Sequence, residues 1–214
     1  MKKLLAVILA VLFLAAPVYA ESETSPYNLL SNPQIELRFF STFSSDIGQQ
    51  AVLKIDNIAY ASELWAEAFV LKSWGIKKLH VIINSGGGSL FEASAIIGVL
   101  RDLKANGVYI ETQASGIVAS AAVPIFLMGD YRIADRNCVF LIHPGAIYQF
   151  GFIKDTKDTL ESKAIMMKVS GGIYRQFLVD GSNLTAAEAE ELMNKDSWFT
   201  TAQAQAWGMV DTVF

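Results

Sequence analysis

The apolar positions fall into two regimes. The first is a single run, Leu4 to Ala16, behind Lys2 and Lys3. Pro17-Val18-Tyr19-Ala20 closes it with a helix breaker and with small residues at the −3 and −1 positions that a signal peptidase accepts. Thirteen apolar residues fall short of the ~20 that a membrane-spanning helix needs. The pattern predicts a signal peptide over 1–20 and a mature, exported chain from about Glu21, with an uncleaved anchor as the alternative. Residues 21–33, rich in Ser, Asn, Thr and Pro, predict a flexible lead-in.

The second regime, residues 34–214, has no linker, repeat or low-complexity tract and predicts one domain. Its elements alternate. Gln50–Asp56 reads as a strand and Tyr60–Trp74 as a helix apolar nearly all round. Leu79–Asn84 is a β-branched strand running into Gly86-Gly87-Gly88. Ser89 and Glu92 then have capping-box spacing and open a helix to about Ala105. A strand over Val108–Ala114, an apolar helix over Val118–Met128 and a β-rich run over Val139–His143 follow. Lys157–Leu178 predicts a long helix, weakened by Gly171-Gly172. Two short capped helices, from Thr185 to Glu188 and from Thr201 to Trp207, precede a last strand over Met209–Val213. Strands alternating with helices predict an α/β fold with parallel pairing and helices packed on the sheet.

Composition narrows the chemistry. At 52% hydrophobic and 18% charged, the chain is too apolar for disorder and sufficient for a large core. Seventeen basic against 21 acidic side chains give −4; losing Lys2 and Lys3 with the signal leaves 15 against 21. That balance carries no electrostatic footprint for nucleic acid. One Cys and two His exclude a disulfide framework and a Cys/His zinc cluster, and no cofactor is expected. Cys138, within an apolar run, predicts burial.

Several site types drop out. The glycine run lacks the Lys-Ser/Thr of a phosphate loop and the G-x-G-x-x-G of a dinucleotide site, and no G-x-S-x-G elbow exists. What remains is a Ser, a His, an Asp and a glycine turn. Ser120, in Gly116-Ile-Val-Ala-Ser120, sits where a strand gives way to a helix. It is either a nucleophile or a plain cap or packing residue. His143 leaves a strand before Pro144, whereas His80 follows two lysines and suggests a sheet edge; of the two, His143 is the better general base. Asp196 lies in a turn between the last two helices, where an Asp usually caps or is solvated. Gly86–Gly88 is either a tight turn needing positive φ or a pair of backbone donors for an oxyanion.

Together, Ile83-Asn-Ser-Gly-Gly-Gly-Ser89, Gly116-Ile-Val-Ala-Ser120, Phe140-Leu-Ile-His143-Pro144, Asp196-Ser-Trp-Phe-Thr200 and Ala204-Gln-Ala-Trp-Gly208-Met-Val-Asp211 resemble the Clp protease proteolytic subunit family over roughly residues 50–213. The resemblance implies a Clp protease/crotonase-like fold of repeated ββα units. It implies Ser120 as nucleophile, His143 as general base and Asp196 as its orienting partner. The backbone N–H groups of Gly88 and Ala121 would form the oxyanion hole, and Gly86 and Gly87 an edge that receives an extended peptide. It further implies a homo-oligomer acting on peptides or unfolded chains. An exported relative would have no cytosolic Clp ATPase and would cleave without ATP. The chain departs from the family at Gly86, where the family has Pro. Pro144 follows His143 with no intervening Gln, Pro124 falls within the Ser120 helix, and Gly145–Lys157 does not follow the family's sequence. Gly86, Pro124 and the missing Gln motivate the alternative of an inactive peptide-binding or assembly module. A crotonase-like acyl-thioester enzyme is the third reading.

Overall fold

The structure is a computed structural model that describes residues 37–45, 48–58, 61–147 and 154–214. The expected signal peptide and lead-in, and the aromatic stretch Tyr148–Phe152, lie outside the described residues. Eight strands are described: β1 Phe40–Ser45, β2 Gly48–Ile55, β3 Lys78–Ser85, β4 Tyr109–Ala119, β5 Tyr131–Ala134, β6 Val139–Ile142, β7 Ser197–Thr200 and β8 Thr212–Val213. The described helices are α1 Ala61–Ser73, α2 Leu90–Ala105, α3 Ala122–Phe126, α4 Lys157–Asp180, α5 Ala186–Met193 and α6 Thr201–Ala206.

The strands form one sheet in the order β1-β2-β3-β4-β5-β8, with β6 bridging β4 and β7. The pairs through the centre are parallel, as the βα alternation predicts. Two further pairs are antiparallel, β1 with β2 and β6 with β7. Along β3 the side chains of Leu79, Val81 and Ile83 are fully buried in the core, together with Leu71 of α1 and Ile97, Leu100 and Leu103 of α2. Lys78, His80 and Ile82 alternate onto the other, partly exposed face. His80 is therefore not on a sheet edge: β3 is flanked on both sides. Its ring lies between Glu111 and Gln113 of the neighbouring β4, with both contacts at 2.9 Å. A polar open face, rather than an unpaired edge, produced the lysine-flanked pattern.

The other departures are at short or doubly buried segments. β1, β5 and β7 were not expected; β1 is serine-rich, and the other two are four residues long. The apolar helix expected over Val118–Met128 is two elements, since β4 continues to Ala119 and α3 covers only Ala122–Phe126. Val118 and Ala119 are both buried, and a continuously buried strand has no period that separates it from a buried helix. Pro124 then falls in the first turn of α3, where N–H groups have no intrahelical acceptor to lose. The caps are where the sequence puts them. Thr185 and Thr200 each close a reciprocal capping box, and the Ser89 side chain accepts from the Glu92 N–H.

Candidate active site

β4 delivers the candidate nucleophile, and a bulge in it sets the direction. Ile83 pairs with Ala114, yet Ser85 pairs with Val118, so β4 holds extra residues between these points. The Asn84 side chain fills the gap, its Oδ1 accepting the Ile117 N–H at 3.1 Å. Gly116 adopts φ 82 there, and a Cβ on it would fall 2.6 Å from Asn84 Oδ1. Before the bulge β4 pairs with β5; after it, Ile117–Ala119 pair with β6. That switch carries the end of β4 to the strand that ends just before His143.

Ser120 follows directly and has φ 55, the one positive value for a non-glycine among the described residues. An L-residue avoids this region unless its surroundings over-determine it. Here the backbone is held three ways: the Ser120 N–H donates to the Leu141 carbonyl at 2.8 Å, and its own carbonyl accepts from the Val123 N–H at 3.0 Å and from the Tyr174 hydroxyl at 2.9 Å. The Ser120 hydroxyl has no hydrogen-bond partner among the described residues. The glycine turn packs on the same peptide. A Cβ on Gly87 would lie 2.6 Å from Ser120 Cβ, 2.8 Å from the Ala119 oxygen and 3.2 Å from the Ala121 nitrogen. Gly87 and Gly88 have positive φ, as the tight-turn reading requires, whereas Gly86 does not.

His143 follows the last residue of β6 and is partly exposed. Its Nδ1 stands 2.7 Å from the Pro144 carbonyl oxygen. Because a carbonyl only accepts, this contact places the proton of a neutral ring on Nδ1 and leaves Nε2 with its lone pair. That is the tautomer a general base requires. Asp196 is exposed, one residue before β7, and makes no hydrogen bond or ion pair among the described residues.

A cavity of about 670 Å³ joins most of these groups. Gly86, Gly88, Ser120, Ala121 and His143 all line it; Gly87 and Asp196 do not. Its size is that of a small-ligand or side-chain cleft. The remaining wall includes Met166, Met167, Ser170 and Tyr174 of α4, with Met193 of α5. Sequence reasoning did not single out this wall. Helical spacing from Met166 to Tyr174 was visible, but nothing local says that this face of α4 turns towards Ser120. Elsewhere, Cys138 is buried as expected; burial, and then the Asp135 carboxylate, push its thiol up to about 11. Asp211 serves the fold, meeting the Arg132 guanidinium through both carboxylate oxygens at 3.1 and 3.2 Å and accepting the Arg132 backbone N–H at 2.7 Å.

A largely parallel α/β sheet, a glycine turn seated on a serine at a strand end and a histidine across the same cavity define a class, the α/β proteins with a serine–histidine site. Within it, the chain belongs to the Clp protease family, whose model matches residues 50–214. It is similar to an ATP-dependent Clp protease proteolytic subunit of Citrus sinensis, 29% identical over 144 residues covering 64% of this chain and 68% of that one. It is also similar to the ATP-dependent Clp protease proteolytic subunit 3 of Streptomyces avermitilis, 25% identical over 159 residues, 72% of this chain and 68% of the relative. The mixed α/β architecture is that of the Clp protease fold, and membership supports a serine peptidase in general terms.

Proposed function

We propose that the protein is an exported serine endopeptidase that hydrolyses peptides or unfolded chains, without ATP, through an acyl-enzyme on Ser120. The observation that carries this reading is that Ser120, His143, Gly88 and Ala121 all line one cavity. An extended peptide lies along Gly86 and Gly87, its backbone pairing with the turn as an added strand. A Cβ on Gly86 would meet nothing within 4 Å, so there is room for that approach. Nε2 of His143 takes the Ser120 proton as Oγ attacks the carbonyl carbon. The tetrahedral oxyanion is met by the N–H groups of Gly88 and Ala121. The imidazolium then returns its proton to the leaving amine, and water repeats the sequence to release the acid.

The Pro144 carbonyl holds the working tautomer in the free enzyme, and Asp196 supplies the orienting carboxylate once substrate is bound. The relatives named above are ATP-dependent; the signal-like residues 1–20 motivate the proposal that this chain works outside the cytosol, away from a Clp ATPase. Assembly as a homo-oligomer is supported by the exposed apolar positions Leu160, Ile165, Val169 and Ile173 on α4. Incubating the mature chain with fluorogenic peptides and unfolded casein, without nucleotide, should give cleavage that disappears in Ser120→Ala. The first residue of the exported product should be Glu21. One observation favours a second reading, an inactive peptide-binding or assembly module: Asp196 has no contact with His143. Peptide binding with no cleavage, equal in wild type and Ser120→Ala, selects it.

A further inference from the structure

Tyr174 stands apart from the groups assigned above. It comes from α4, is only 7% exposed, and its ring helps to line the cavity. Its hydroxyl donates to the carbonyl oxygen of Ser120 at 2.9 Å, across 54 residues of sequence. Burial holds the phenol well above its usual ionisation range, so it stays a donor at any pH at which the protein works.

The accepting oxygen belongs to the peptide that joins Ser120 to Ala121. A peptide unit is planar and trans, so its C=O and N–H point in opposite directions and move as one body. Anchoring the Ser120 oxygen therefore fixes where the Ala121 N–H points, away from Tyr174. The Ala121 nitrogen lies on the glycine-turn side, 3.2 Å from where a Cβ on Gly87 would fall. The same plane sets the ψ of Ser120, the residue held at φ 55 against its intrinsic preference. The Val123 N–H reaches the same oxygen from within the α3 turn, at 3.0 Å. Tyr174 is the contact that ties this peptide to the opposite wall. Donation to the carbonyl also polarises the peptide and makes its N–H a better donor.

We propose that Tyr174 is a positioning residue for both halves of the site: through the Ser120–Ala121 peptide its hydroxyl holds the nucleophile's backbone and aims the Ala121 oxyanion donor. The inference rests on the peptidase reading and deepens it. The Tyr174 hydroxyl is committed to the Ser120 carbonyl and so acts through that peptide rather than on the reacting atoms. The bond matters most when charge develops on the oxyanion, so its loss should act on the transition state and leave ground-state binding in place.

Tyr174→Phe removes the hydroxyl and keeps the ring. Single-turnover acylation by a peptide ester, followed in wild type, Tyr174→Phe and Ser120→Ala, is the test. The expected result is acylation slowed roughly three- to tenfold, the worth of one neutral hydrogen bond, with KM unchanged. Binding of a peptide boronate, a mimic of the tetrahedral state, should weaken by the same factor. Tyr174→Met, which also reshapes the cavity wall, should raise KM as well. A Tyr174→Phe variant with a lowered Tm but wild-type acylation and boronate binding would make the residue merely structural and overturn the inference. Equal acylation by wild type and Ser120→Ala, or none by either, removes the peptidase reading and this inference with it. Acylation that needs Ser120 but ignores Tyr174→Phe removes the inference alone.

Discussion

Gly86 and Gly87 are neighbours in one turn, and the structure gives them opposite tolerances. A methyl group on Gly87 would lie 2.6 Å from Ser120 Cβ and 2.8 Å from the Ala119 oxygen, well inside van der Waals contact. Two of its neighbours are backbone atoms, so no rotamer relieves the clash. Gly87 also has φ 100, where an L-residue is strained by about 1–2 kcal/mol. Overpacking adds about 1–3 kcal/mol, giving about 2–5 kcal/mol for Gly87→Ala. A domain of this size loses about 2–4 °C per kcal/mol, so Tm should fall by about 4–20 °C. Acylation of Ser120 should fall further than stability does, because the clash displaces Ser120 itself. Gly86→Ala has no atom within 4 Å of the added Cβ and no left-handed φ to strain, so it should match wild type in Tm and change activity only through substrate approach. Scanning calorimetry and single-turnover acylation on the pair check this. Two variants with the same Tm and the same acylation rate would refute the close packing of the turn on Ser120.

Asp196→Asn should slow acylation on the order of 10,000-fold if its carboxylate orients His143 during turnover; pre-steady-state kinetics with no loss would leave the Pro144 carbonyl as the only orienting acceptor. Cys138 predicts an alkaline limb in stability. Its folded pKa is raised from 9.0 to about 11, so above pH 9 the unfolded chain releases the thiol proton first, and stability falls as pH rises towards 11. Urea melts from pH 8 to pH 11 should show the decline, and Cys138→Ala should make it shallower, leaving the part that the buried Tyr174 phenol, also raised by burial, adds above its usual range. Iodoacetamide at pH 8 should leave the native thiol intact and modify it in urea.

The long or strongly signalled elements were legible. Strand patterns placed β2 and β3, and the starts of α5 and α6 fell within a residue of expectation, as at Thr185, which with Glu188 three residues later satisfies N–H groups that any helix start leaves open. The helical reading of Val118–Met128 failed because the pairing of Ile117–Ala119 with β6 depends on Asn84 filling a bulge, a contact between residues more than thirty apart. The site was legible in part. The glycine turn and Ser120 carry local signals, and with only two histidines His143 followed nearly by subtraction. The Pro144 contact to His143 and the Tyr174 contact to Ser120 could not be read, since each depends on backbone geometry rather than on a residue pattern. The structure also leaves Asp196 solvent-exposed and apart from the cavity, an arrangement that sequence order alone did not suggest.

In the proposed mechanism Ser120 is a nucleophile activated by His143. The most direct measurement is intact-mass and peptide-mapping analysis after exposure of the mature protein to a fluorophosphonate. A single adduct on Ser120 is expected, lost in Ser120→Ala and slowed by orders of magnitude in His143→Ala. An unmodified Ser120, or labelling that proceeds equally in His143→Ala, would contradict it.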